Sequence, residues 1–297
     1  MANILISGLV NTETTVRVRQ FPIEYYPIDY PFFGVNTAVS GVGYNISKAL
    51  RTLGDDVKLF AMTGDDFAAG YIRRELQALG VETGNVLPVL AQTPSSVVLY
   101  DESGRRQIYC DLKDIQESSY PFGEETVEGA DIVVACNTNF NRPLLTMAKA
   151  MGKIIATDVH VLRDIHDAYN RDFMEAADIL FLSDEGIGDD YRGFLLELAR
   201  TFGNPIIVLG RGSKGAAMYL AKSDQILEQP AAYVGPVVNM VGAGDALFSA
   251  FLHYYAKGAM PEEALRRAQT FAAAKITVSG AANGFVDEQR LESLLRN

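Results

Sequence analysis

"NMVGAGDALFSAFLHYY", Asn239 to Tyr255, sets Gly242, Ala243 and Gly244 directly before a lone carboxylate, Asp245, and then an apolar helical run. Two readings of that acid compete. Aspartate is among the best helix N-caps, because its side chain accepts from the first free backbone N–H groups. A bare turn at the positive end of a helix also lets backbone amides converge on an anion such as phosphate. The rest of the chain must decide between them.

Strand and helix patterns alternate along most of the length. "NILISG" reads as a short buried strand. "YNISKALRTLG" places Ile46, Ala49, Leu50 and Leu53 at helical spacing and stops at Gly54, a natural C-cap. The alternation returns in "VKLFAM", "DDFAAGYIRRELQALG", "DIVVAC", "RPLLTMAKAMG", "KIIATD", "DILFLS", "FLLELARTFG" and "PIIVLG". Near-continuous apolar strands separated by helices predict a mostly parallel sheet covered on both faces. Closing helices are expected over Ala246–Ala256, Pro261 to about Val278, and Asp287–Leu295.

Two segments break the pattern. "TTVRVRQFPIEYYPIDYPFFGVNTAVS" alternates Val16 and Val18 with arginines, and "SSVVLYDESGRRQIYC" reads as a hairpin turning at Glu102 to Arg105. Both look like half-exposed antiparallel strands, so a small β lid is expected from about 14–37 and 95–110. Such flaps shield a site from water. With no composition shift to mark a linker, 1–297 reads as a single domain.

The 297 residues are 48% hydrophobic, enough for a substantial core. A net charge of −11 argues against a nucleic-acid face, which needs basic surface. No stretch approaches membrane-spanning length and the N-terminus lacks the charged lead of a signal peptide, so a soluble cytoplasmic protein without a membrane partner is expected. Cys110 and Cys136 are too few for a disulfide framework and are expected to be reduced and buried. There is no G-x-x-x-x-G-K-[ST] loop, and "SGVGYNI" lacks the third glycine of a dinucleotide fingerprint. His160, His166 and His253 have no metal-ligand spacing, and no G-x-S-x-G elbow occurs.

Parallel sheets bind ligands outside the carboxyl ends of their strands. Asn11 and Glu13 follow the first strand, Gly41, Gly43 and Asn45 open the first helix, Asn137 follows "DIVVAC", and Asp158 follows "KIIAT". Each alone also reads as a cap, a turn or a solvated residue. Their shared position is what groups them.

These residues carry a resemblance. "VGAGDALFSAF" resembles the C-terminal signature of the PfkB/ribokinase family of carbohydrate and nucleoside kinases. "SGVGYNISKALRTLG" followed by "TGDDFAAGYIRREL" resembles its N-terminal Gly-rich signature, and "VLGRGSKGAAMYL" its nucleotide-side turn. The resemblance implies a ribokinase-like three-layer α/β/α sandwich with a β lid, and an ATP- and Mg²⁺-dependent kinase acting on a hydroxymethyl group of a sugar or nucleoside. It makes Asp245 the base for the acceptor hydroxyl and the N–H groups of Gly242, Ala243, Gly244 and Asp245 the anion hole. It puts Gly212, Ser213, Lys214 and Gly215 beside ATP, and Asn11, Glu13, Gly41, Gly43, Asn45 and Asn137 around the sugar. It also implies a homodimer packed through the lid.

Several positions depart from the family pattern. Ser183 and Gly186 stand where an N-x-x-E element orders water around Mg²⁺, leaving Asp184 or Glu185 to substitute. Asn239 replaces an acid, which weighs against the monovalent cation bound by many members. Glu13 replaces a shorter aspartate near the substrate. The altered magnesium element motivates a rival reading, a catalytically weak relative that only senses a sugar. A dinucleotide-dependent enzyme is the remote alternative.

Overall fold

A computed structural model describes residues 2–103 and 105–296. Met1 and Asn297, the ends of the expected domain, and Gly104, inside the expected hairpin turn, lie outside the described residues. The chain begins with β1 (Asn3–Ser7), β2 (Asn11–Arg17), β3 (Val35–Ser40), α1 (Val42–Leu53), β4 (Asp56–Thr63), α2 (Phe67–Ala78) and β5 (Val86–Pro88). Next come β6 (Ser95–Tyr100), β7 (Arg106–Asp111), β8 (Ile132–Ala135), α3 (Arg142–Ala150), β9 (Ile154–Val161), α4 (Arg171–Ala176) and β10 (Ile179–Ser183). The remaining elements are α5 (Tyr191–Phe202), β11 (Ile206–Gly210), β12 (Ala216–Leu220), β13 (Gln225–Gln229), α6 (Ala243–Ala256), α7 (Pro261–Lys275) and α8 (Glu288–Leu295).

The apolar strands assemble a nine-stranded sheet in the order β13-β12-β11-β10-β9-β8-β1-β4-β5. It is parallel from β5 to β11, and β12 and β13 add an antiparallel edge. Both faces are apolar because both are covered. Ile4 and Ile6 face one core with Ile46, Leu50, Phe248, Phe251 and Phe271, from α1, α6 and α7. Leu5 faces the other with Leu144, Phe173, Leu195 and Leu198, from α3, α4 and α5. Three layers result.

A separate four-stranded sheet, β3-β2-β6-β7, forms the lid. Its outer pairs are antiparallel, but β2 and β6 pair in parallel, with Glu13 opposite Ser96. The all-antiparallel expectation fails for a topological reason. β2 follows β1 and β6 follows β5, and both chains leave a parallel sheet from its carboxyl end, so they enter the lid in the same direction. The lid also starts earlier than expected: Asn11 and Glu13 belong to β2, while 18–34 contains no strand. Cys110, expected to be buried, is exposed because β7 is an edge strand; Cys136 is buried.

Two helix boundaries shift. Helix α6 starts at Ala243 rather than Ala246, with Gly242 as its N-cap. Helix α7 stops at Lys275, short of Val278. The aromatic stack of α6 on β10 holds the central layer: Phe251 is fully buried, with its ring centroid 5.3 Å from that of Phe181. Phe251→Ala is expected to lower the unfolding free energy by about 3–5 kcal/mol. Urea titration checks this, and a midpoint unchanged from wild type contradicts it.

Candidate active site

Strand β1 lies between β4 and β8, so the strand order reverses at its carboxyl end and opens a crevice there. Helix α1 begins at that point. Its N-cap, Gly41, has φ 96°, and a Cβ there would lie 2.6 Å from the Leu9 carbonyl oxygen. A Cβ on Gly43 would lie 3.0 Å from the Gly8 carbonyl carbon. Both glycines therefore serve a close approach of helix to chain. One turn in, Asn45 Nδ2 donates to Asp245 Oδ2 at 2.7 Å. Asn45 is inside α1 and is not a cap.

The competing readings of Asp245 separate here. Gly242, at φ 81°, is the N-cap of α6, and no side chain caps that helix. Asp245 is the third helical residue, with its carboxyl buried against Asn45. Burial raises that carboxyl above the usual aspartate range, and the Asn45 hydrogen bond pulls it back. The turn's two glycines have different causes. A Cβ on Gly242 would lie 2.2 Å from the Ala281 carbonyl oxygen, so space and φ both demand glycine. Gly244 is exposed, and a Cβ there would meet only Asp158 Oδ2, at 3.9 Å. Its bare backbone faces open space beside a second carboxylate.

The lid supplies one wall. Asn11 and Glu13 are buried on the same face of β2. Asn11 Nδ2 donates to Ser96 Oγ at 3.2 Å, and Ser40 Oγ donates to Glu13 Oε2 at 3.3 Å. Burial raises the Glu13 carboxyl, opposed by the Ser40 hydrogen bond and the charge of Lys275. Among the described residues, Asn11 Oδ1 and Asn45 Oδ1 are buried acceptors with no partner. Such atoms are costly unless a ligand or water satisfies them. Asn137 follows β8 half-buried, and its Nδ2 donates to Asn170 Oδ1 at 3.1 Å.

Besides Ser40, three residues near this crevice were not assigned to it from sequence. Ser96 is one. His160 has a left-handed backbone at φ 59°, costly for a side-chain-bearing residue, and its N–H donates to Asp158 Oδ1 at 2.8 Å. Its positive charge, when present, holds down the Asp245 carboxyl. Lys275 is the third, fully buried at the end of α7. Its Nζ donates to the Val241 carbonyl. A signal existed: Ala264, Ala268 and Phe271 form an apolar helical stripe, and Lys275 takes the next place on it.

The other expected residues lie further along the sheet edge. Gly212, Ser213 and Lys214 form an exposed 3₁₀ turn after β11. Gly215, at φ 90°, has no room for a Cβ, which would lie 2.1 Å from the Gln229 carbonyl oxygen. Asp184 follows β10, its N–H bonded to the Gly210 carbonyl at 2.9 Å, and Glu185 is exposed. Among the described residues, no cluster of three acidic, histidine or cysteine side chains would hold a metal by itself. No helix among them is long and apolar enough to cross a membrane.

Comparison with known proteins gives this crevice its context. Residues 1–288 match the model of the pfkB family carbohydrate kinases. The acarbose 7(IV)-phosphotransferase of an Actinoplanes species is 23% identical, over 97% of each chain. The ribose-1-phosphate kinase of Halopiger xanaduensis, named as ATP-dependent, is 26% identical over 95% of this chain and 94% of its own. Among solved structures, a microbiome-derived acarbose kinase superposes with a TM-score of 0.87 at 25% identity, covering 100% of this chain and 99% of its own. The fold is ribokinase-like, and the chain belongs to the pfkB family of carbohydrate kinases.

Proposed function

We propose that this kinase transfers the γ-phosphoryl group of ATP to a hydroxymethyl group of a sugar, with Asp245 as the base. The observation that carries the reading is the Asp245 carboxylate, buried at the mouth of α6, bonded to Asn45 and free of capping duty. Burial raises its proton affinity, which suits a general base better than a solvated aspartate. Ala243 N–H donates to the Met240 carbonyl at 3.2 Å, so the N–H groups of Gly242, Gly244 and Asp245 would receive the charge that develops on the moving phosphoryl group, reinforced by the helix end. The exposed backbone of Gly244 supports this, since a side chain there would stand in the approach.

The orphaned acceptors Asn11 Oδ1 and Asn45 Oδ1 suit the hydroxyl donors of a sugar. Glu13 would accept further hydroxyls, Asn137 would reach in after β8, and Gly41 and Gly43 would shape the wall. The sugars named for the relatives support a carbohydrate acceptor rather than a nucleoside. For the nucleotide, Gly212, Ser213, Lys214 and Gly215 offer an open turn with a lysine for phosphate. Mg²⁺ would neutralise charge between the phosphates. The donor set fits it: Asp158 faces Gly244, and Asp184 and Glu185 follow the neighbouring strand. Lid and sheet then act as one catalytic domain, in the cytoplasm where ATP is supplied.

The lid's outer face supports a homodimer. Val16, Val35, Val97 and Tyr109 share that face through the pairs Val16–Val35, Thr14–Val97 and Val97–Tyr109, and the last three are exposed. An apolar sheet face of this kind suits a second copy of itself.

Three outcomes are expected. A coupled ADP assay over sugars should find an acceptor, and on it Asp245→Asn should lose roughly 10²–10⁴-fold in kcat while sugar binding persists. Near-wild-type turnover in that variant removes Asp245 from the chemistry. The base must be deprotonated, so a raised pKa moves the acid limb of kcat/KM upward, above the usual aspartate range. A profile flat down through that range contradicts this. Light scattering should show a dimer that Val16→Glu with Val97→Glu dissociates; a wild-type monomer that still turns over rules out the dimer.

A further inference from the structure

We infer that Lys275 is a positioning residue of phosphoryl transfer, whose tethered ammonium holds the anion-hole turn in place and supplies its fixed positive charge without a recruited monovalent cation. The inference rests on the kinase reading above and goes beyond it. Its ground is a cluster of charges that the chain builds from four separate elements.

The turn that opens α6 is clamped by the end of α7. Val238 N–H and Asn239 N–H both donate to the Ile276 carbonyl, at 2.8 and 3.1 Å. Lys275 Nζ donates to the Val241 carbonyl, the last one before Gly242. Asn239 Oδ1 accepts from Val241 N–H at 2.7 Å, so the Asn239 amide oxygen folds back on the turn. Gly242 itself sits against Ala281. Ala243 N–H is taken by the Met240 carbonyl at 3.2 Å, so it is the direction of the Gly244 and Asp245 N–H groups that depends on where Val241 is held.

Packing alone does not explain the lysine. Its place on the α7 stripe suits an apolar residue, and an ammonium loses its hydration there. Around it stand Glu13 from β2, Asp245 from α6 and Arg106 from β7. The two carboxylates keep the ammonium charged against burial, and Arg106 works with burial against it. Without Lys275, a phosphoryl group entering beside Asp245 and Asp158 would meet carboxylates and no buried cation. A carbonyl that accepts from a tethered ammonium also has no need of a metal ion.

The test compares Lys275→Met, Lys275→Arg and wild type. Lys275→Met should keep KM for ATP and sugar within about threefold while kcat falls about 10²-fold. Lys275→Arg should recover most of that loss, and added ammonium or methylammonium should partly rescue Lys275→Met. Wild type should respond equally to K⁺ and Na⁺ at constant ionic strength. Burial pushes the Lys275 pKa down to about 8, so wild-type kcat should decline as pH rises through that value. If Lys275→Met does not fold, as judged by circular dichroism, the wild-type profile decides; a kcat constant from about pH 7 to 10 overturns the inference. So does a Lys275→Met enzyme with wild-type kcat, or several-fold K⁺ activation of wild type. A wild type that phosphorylates no acceptor instead removes the kinase reading, and this inference falls with it.

Discussion

The hydrogen bond from Asn45 to Asp245 joins residues 200 positions apart, and the crevice depends on it. It brings two helix N-termini, those of α1 and α6, to one point beside the carboxyl end of β1. Two close approaches must succeed before it can form. Gly41 and Gly43 let α1 press onto 8–10, and Gly242 lets the α6 turn press onto Ala281. A methyl group at any of these contacts displaces a helix end rather than a side chain, because each clash is with backbone. The glycines read from sequence as ligand-contacting residues thus act first on the scaffold. Gly244 differs: nothing in the protein crowds it, which suits the backbone contact proposed for it.

Charge is the second constraint. Asp245, Glu13 and Asp158 are all buried close to the crevice, and an uncompensated set of three carboxylates would resist both folding and a phosphate. The fold counters them with the buried ammonium of Lys275, while the strained backbone of His160 gives Asp158 a hydrogen-bond donor. Burial decides the sign of the shifts at Asp245, Glu13 and Lys275: those two carboxyls move up and the ammonium moves down. Groups moved toward neutrality in this way exchange protons readily. Proton exchange is what the base proposed at the mouth of α6 requires.

The α/β alternation, the lid segments and the turn at 242–245 were all legible, because each is written in local periodicity or in glycine placement. The direction of β6 was not, since parallel pairing in the lid follows from how two distant chains leave the main sheet. The start of α6 was misjudged because an aspartate near a helix mouth looks like a cap until φ at Gly242 is known. Lys275 and Ser96 escaped for another reason. Each owes its place to a partner more than 30 residues away, and sequence spacing carries no record of that partner. Lys275 still left a trace, as the one charged residue where the stripe Ala264, Ala268, Phe271 calls for an apolar one.

Strand β2 ties these levels together through its period of two. Asn11, Glu13 and Thr15 turn inward, and Thr12, Thr14 and Val16 turn outward. A slip of one residue would put Thr12 and Thr14 over the crevice and expose Asn11 and Glu13. Two features resist the slip. The parallel pairing sets Glu13 opposite Ser96, so the inward polar residues of two strands sit side by side, and Ser96 bonds Asn11. Ser40 then holds the Glu13 carboxyl from the other neighbouring strand, β3. The register of the lid is therefore fixed by side-chain bonds from both neighbouring strands, while the α6 turn is held by Ala281 and the end of α7. A slip of the lid would remove Asn11 and Glu13 from the proposed acceptor wall, and a shift of Ala281 or Lys275 would move the turn proposed to receive phosphate.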